Sequence, residues 1–63
     1  MTATAAAYML VLALMSGGAT TMGPMSYEVC QNVATGLVKR GSPFIRGWCI
    51  RTSTGKIEWE INR

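Results

Sequence analysis

The first 27 residues of this 63-residue chain carry no charged side chain. All six basic and all three acidic residues fall between Glu28 and Arg63. The most apolar stretch, Ala5-Ala6-Ala7-Tyr8-Met9-Leu10-Val11-Leu12-Ala13-Leu14-Met15, lies inside the uncharged part. A chain this short buries only about 60% of its unfolded surface and is marginal without a staple or a partner. The apolar arm must therefore enter a membrane, a processing enzyme, a sheet or another protein. The composition shift divides the chain into an uncharged arm, 1–25, and a charged module, 26–63.

Four structures suit the arm. As a secretory signal peptide it has a fitting apolar length and a small-residue site at Gly17-Gly18-Ala19, but residues 2–8 supply no positive charge. As a transmembrane helix, Ala3 to Met15 rises only about 20 Å against a hydrocarbon core of about 30 Å. As a buried strand, Tyr8 to Met15 is continuously apolar, Ser16-Gly17-Gly18 suits a turn, and Ala19-Thr20-Thr21-Met22 can return as a second strand. As a docking arm, it orders only against another subunit. Its length and weak flanks favour the last two readings, which are compatible with each other.

The charged module reads as helix followed by hairpin. Ser26 is a suitable N-cap, Glu28 complements the helix dipole, and Gly41 with Ser42-Pro43 stops the helix after about Arg40. Val29, Val33 and Leu37, with Cys30, Ala34 and Val38 beside them, form one apolar stripe. Phe44 to Thr52 and Lys56 to Asn62 read as strands around a two-residue Thr54-Gly55 turn. That turn sets Ile50 opposite Trp59, Trp48 opposite Ile61, Thr52 opposite Ile57 and Arg51 opposite Glu58. Trp48, Ile50, Ile57, Trp59 and Ile61 then share one face, and Cys49, Arg51, Lys56, Glu58 and Glu60 share the other. The expected fold class is α+β, a ββαββ-like chain.

Cys30 and Cys49 are the only cysteines. An even pair in a tiny chain with an export-like N-terminus reads as one disulfide, with two buried thiols as the alternative. The bridge conflicts with the hairpin register, because Cys49 falls on the charged face. A bulge at Gly47 would re-aim Cys49 and let the helix cover the tryptophans. Without it, the tryptophan face stays free for the arm or a partner.

Chemistry-bearing patterns are missing. There is no histidine and no aspartate. Two cysteines without histidine cannot complete a tetrahedral zinc site in one chain, and Cys-x-x-Cys is not present. Ser26 and Ser42 lack an activating base, and Glu58 and Glu60 read as a solvated strand face. Net charge is +3 with a pI near 9.3. Of the basic residues only Lys39 and Arg40 are adjacent, so a nucleic-acid stripe is not expected. The five methionines all lie in the first 25 residues and suit an adaptable or gap-filling apolar surface.

The layout resembles a class of very short bacteriophage-encoded proteins with an apolar N-terminus, a capped helix bearing one Cys near its start, and a strand bearing the second. Here those pieces are Tyr8 to Met15, Ser26-Tyr27-Glu28-Val29-Cys30 and Gly47-Trp48-Cys49-Ile50. The resemblance stops before Lys56 and implies a phage origin with a virion or envelope role. The expectation is a non-enzymatic structural or accessory subunit without cofactor or metal, docking on other protein subunits through its arm. Tyr8, Leu10, Leu12, Leu14, Trp48, Ile50, Ile57, Trp59 and Ile61 are the candidate interface, the last five forming either core or interface, and Trp59→Ala is expected to weaken assembly if that face is exposed. The alternatives are an exported or membrane-anchored envelope protein, and a small inhibitor-like binder.

Overall fold

A computed structural model of the chain describes residues 6–63; the sequence reading at positions 1–5 lies outside them. The element order is β1 (Tyr8–Leu14), β2 (Ala19–Met25), α1 (Tyr27–Leu37), β3 (Phe44–Arg51) and β4 (Ile57–Asn62). All strand pairs are antiparallel, in the order β2-β1-β3-β4. The fold is α+β with one disulfide, Cys30–Cys49.

β1 is an inner strand, flanked by β2 and β3, so residues 8–14 of the apolar arm are built into the sheet. Its unbroken apolar run fits a position with neighbours on both sides. At the turn, Gly17 N–H donates to Leu14 O at 3.0 Å and Leu14 N–H to Gly18 O at 3.1 Å. This is a three-residue connection closed by a glycine at φ 98°. β2 runs on to Met25, past a cis Gly23–Pro24 peptide.

The helix begins where the sequence places it. The Ser26 hydroxyl accepts the Val29 N–H at 3.2 Å. It ends at Leu37, earlier than Arg40, with Val38 as its C-cap. Cys30, Ala34 and Val38 are the fully covered row, Val33 and Leu37 pack beside it, and Val29 remains 46% exposed.

The C-terminal hairpin departs from the expected register. Arg51 O accepts from Gly55 N–H at 2.7 Å, and Arg51 N–H donates to Lys56 O at 3.0 Å. The loop is therefore Thr52-Ser53-Thr54-Gly55, four residues rather than two. A two-residue turn of the favoured kind needs φ > 0 at Thr54, which is costly for a β-branched side chain. Among the described residues only glycines have positive φ, Gly55 at 72° being one. The ladder starts with Ile50 opposite Ile57, passes a bulge at Glu58, and continues with Cys49 opposite Trp59, Trp48 opposite Glu60 and Gly47 opposite Ile61. The expected pairs Ile50–Trp59, Trp48–Ile61 and Thr52–Ile57 do not form.

This register removes the conflict over Cys49. Trp59 and Ile61 share the helix-covered face with Cys49, while Trp48 and Glu60 point the other way. The bulge that achieves this lies in β4, not at Gly47. Gly47 is regular, buried strand, and a Cβ there would lie 3.3 Å from Ile61 Cγ2, 3.3 Å from Leu12 Cδ2 and 3.4 Å from Val38 Cγ2. Its missing side chain lets the end of the helix settle onto the sheet. The core is Tyr8, Leu10, Leu12, Cys30, Ala34, Val38 and Cys49. The bridge spans 19 positions with Cα atoms 6.1 Å apart.

Candidate interaction face

The helix covers one side of the sheet, against β1, β3 and β4. Strand alternation and the observed register define the other side. Its central row is Thr21, Val11, Trp48 and Glu60 across the four strands. On one flank lie Met9, Ile50 and Ile57; on the other lie Ala19, Ala13, Arg46 and Asn62. Met9, Val11, Ala13, Trp48 and Ile50 are half-buried by one another, and Ile57 is 52% exposed. The result is a contiguous apolar centre that no described element covers.

The rim of this face carries one charge of each sign. Trp48 Nε1 donates to Glu60 Oε2 at 3.2 Å. Arg46 Nε lies 4.0 Å from the same oxygen, and its guanidinium stands 5.8 Å from the Trp48 ring centroid. These contacts hold the indole between a cation and an anion and fix its orientation. Both charged groups are about half exposed, at 52% and 45%, so the pair contributes little to stability and instead gives the face an electrically mixed rim.

The sequence-derived interface residues are distributed between the two faces. Trp48, Ile50 and Ile57 lie on the open side. Tyr8, Leu10 and Leu12 are 3%, 0% and 0% exposed beneath the helix, Trp59 and Ile61 pack against the same core, and Leu14 is half-buried at the end of β1. Met9, Val11 and Ala13 complete the open face but were absent from the sequence-based set. Leu10 is level with Cys49, so a helix-tethered Cys49 was the signal that would have assigned Leu10 inward and Met9 and Val11 outward.

A polar clasp closes the far end of the covered side. The Tyr8 hydroxyl donates to Glu58 Oε1 at 2.9 Å, and Arg51 Nη2 donates to the same oxygen at 3.1 Å. Arg51 also sits 5.3 Å from the Tyr8 ring centroid, while Tyr27 packs on that ring with centroids 4.9 Å apart. The Arg51 hydrogen bond, then that of Tyr8, holds the Glu58 carboxyl below its ordinary range. Burial, then the Glu58 hydrogen bond, raises the Tyr8 hydroxyl. Tyr8 and Arg51 both donate to the one Glu58 carboxylate, which ties β1, β3 and β4 together at this end of the sheet.

The chain matches no protein-family model, no curated protein and no solved structure. Among the described residues, no group of three His, Cys, Asp or Glu side chains could hold a metal ion, and neither cysteine is free. No described helix is long and apolar enough to cross a membrane. An open depression of about 230 Å³ is lined by Ala6, Ala7, Pro24, Met25 and Ser26, with no ionisable side chain.

Proposed function

We propose that this chain is a non-enzymatic structural or accessory subunit of a larger protein assembly, docking through the open face of its sheet. The observation that carries the reading is the apolar centre of Met9, Val11, Ala13, Trp48 and Ile50, left uncovered on a sheet whose other side packs against the helix through β1, β3 and β4. Contiguous apolar surface with a polar rim suits a protein partner, and a tryptophan at its centre suits an energetic anchor. The apolar arm supplies three of these five residues through β1, so the docking role expected of the arm is exercised from within the sheet. A neighbouring protein subunit fits the rim better than an anionic membrane does, because Arg46 is matched there by Glu60. The disulfide supports an assembly outside a reducing cytosol, such as a virion or the cell envelope.

The test is sedimentation of the full chain produced in its own host. Migration with particles or complexes far above 6.8 kDa, abolished by Trp48→Glu with the disulfide and fold intact, is the expected result. Sedimentation as a free chain, or unchanged incorporation of Trp48→Glu, would overturn the reading. Co-sedimentation with lipid vesicles alone would transfer the function to an envelope anchor.

A further inference from the structure

The two outer edges of the sheet are unlike each other. β4, residues 57–62, carries Glu58 and Glu60 and a bulge, which are the usual protections of a strand edge. β2 carries no charge, and every residue from Ala19 to Pro24 is exposed; its proline, Pro24, and its register shift between Met22 and Met25 lie past the run Ala19 to Met22. No described residue pairs with its outer side. A run of Ala19-Thr20-Thr21-Met22 with no charge, proline or bulge is an unprotected template for another strand.

The hairpin geometry says which backbone groups face outward. Leu14 and Gly18 form a hydrogen-bonded pair at the turn, and such pairs alternate along an antiparallel ladder. Thr20 and Met22, opposite Leu12 and Leu10, therefore direct their N–H and C=O groups toward β1. Ala19 and Thr21 direct theirs away from the sheet.

From this we infer that β2 pairs antiparallel with β2 of a second copy of this chain, about a two-fold axis at Thr21. In that register the two Thr21 residues exchange both N–H···O=C bonds, and Thr20 of each copy stands opposite Met22 of the other. The threonine side chains meet on the open face, and the methionines add apolar contact on the covered side. A second copy is the occupant because the seam is uncharged: copies of a +3 chain meet there without like charges in register. Pairing through β4 would instead bring its glutamates to the seam. The two four-stranded sheets become one of eight strands, and the open faces join into a continuous surface.

The experiment is sedimentation equilibrium of the purified, oxidised full chain with three variants. Thr21→Pro removes an outward N–H without touching the β1 ladder, and Thr21→Lys places like charges on the axis. Trp48→Glu alters the open face only. Circular dichroism and intact mass confirm fold and bridge. The expected result is a wild-type dimer weakened roughly tenfold or more by each Thr21 variant and retained by Trp48→Glu. Thr21→Lys decides the matter should Thr21→Pro not fold, because its side chain is exposed. A monomer at all soluble concentrations, or a dimer lost only in Trp48→Glu, overturns the edge pairing while leaving the open face available to another subunit.

Discussion

Trp48 and Trp59 stand on opposite faces of one sheet. Trp59 is level with Cys49 and packs against the helix-covered core; Trp48 is level with Val11 and Glu60 on the uncovered side. Two residues that an uninterrupted ladder would place together are thus separated, one packed on the core and one held on the uncovered face.

Alanine at each position tests this separation. Trp59→Ala should lower unfolding free energy by roughly 1–3 kcal/mol, less than the loss at a fully buried tryptophan because Trp59 is half-buried. Trp48→Ala should lower the urea midpoint less than Trp59→Ala does, because Trp48 lies outside the helix-covered core, and under the proposed docking role it should reduce incorporation into an assembly. Equal stability losses at both positions would contradict the division between faces.

Gly47 tests the fit between helix and sheet. Leu12, Ile61 and Val38 leave space for hydrogen but little for a branched side chain. Gly47→Val should cost about 1–3 kcal/mol by forcing the helix end away from β3. An unchanged denaturation midpoint would mean that the helix yields freely there.

Acid should loosen the Tyr8–Arg51–Glu58 clasp. The folded-state pKa of Glu58 is depressed by its hydrogen bonds, first from Arg51 and then from Tyr8. Its contribution is therefore fully present above the ordinary value of 4.5 and is lost as pH falls through the lower folded value. Denaturation midpoints measured from neutral pH downward should drop below pH 4.5, with a shallower drop in Glu58→Gln. Tyr8 is linked in the opposite direction. Its raised pKa preserves stability below pH 10, and that share is lost as the pH climbs through the folded value.

Reduction of Cys30–Cys49 should remove about 3 kcal/mol, the chain-entropy value for a loop of this length. In a chain with so small a core this is enough to unfold a large fraction of molecules at physiological temperature. Thermal scans of oxidised protein and of a Cys30→Ala, Cys49→Ala double variant measure the difference. Matching melting temperatures would show that packing alone holds the helix.

Several elements were legible in the sequence because each rests on local chemistry. Ser26 announces the helix and Gly17-Gly18 suits a turn, but the apolar run through Leu10 and Leu12 left strand, helix and signal segment open, because Leu, Met and Ala do not favour strand over helix. The disulfide followed from counting cysteines. The β3–β4 register was not legible, since it depends on whether Thr54 can take a positive φ and on a bulge that alternation cannot reveal. That one difference reassigned Trp59 and Ile61 to the core and Glu60 to the open face. Met9, Val11 and Ala13 escaped notice because a continuously apolar strand gives no sign of which alternate residues face a helix.

The bulge at Glu58 has a genetic reading. Ile57 already meets Ile50 and Trp59 already meets Cys49, so Glu58 is the residue with no strand partner between them. Losing that single codon would regularise the ladder, keep every other cross-strand neighbour of β3, and delete only the carboxylate that joins β1, β3 and β4 at one end. An insertion or loss of one codon elsewhere in β4 has the opposite character: it would exchange the inside and outside of the strand beyond it. Loss of codon 58 thus shortens β4 without turning the strand over.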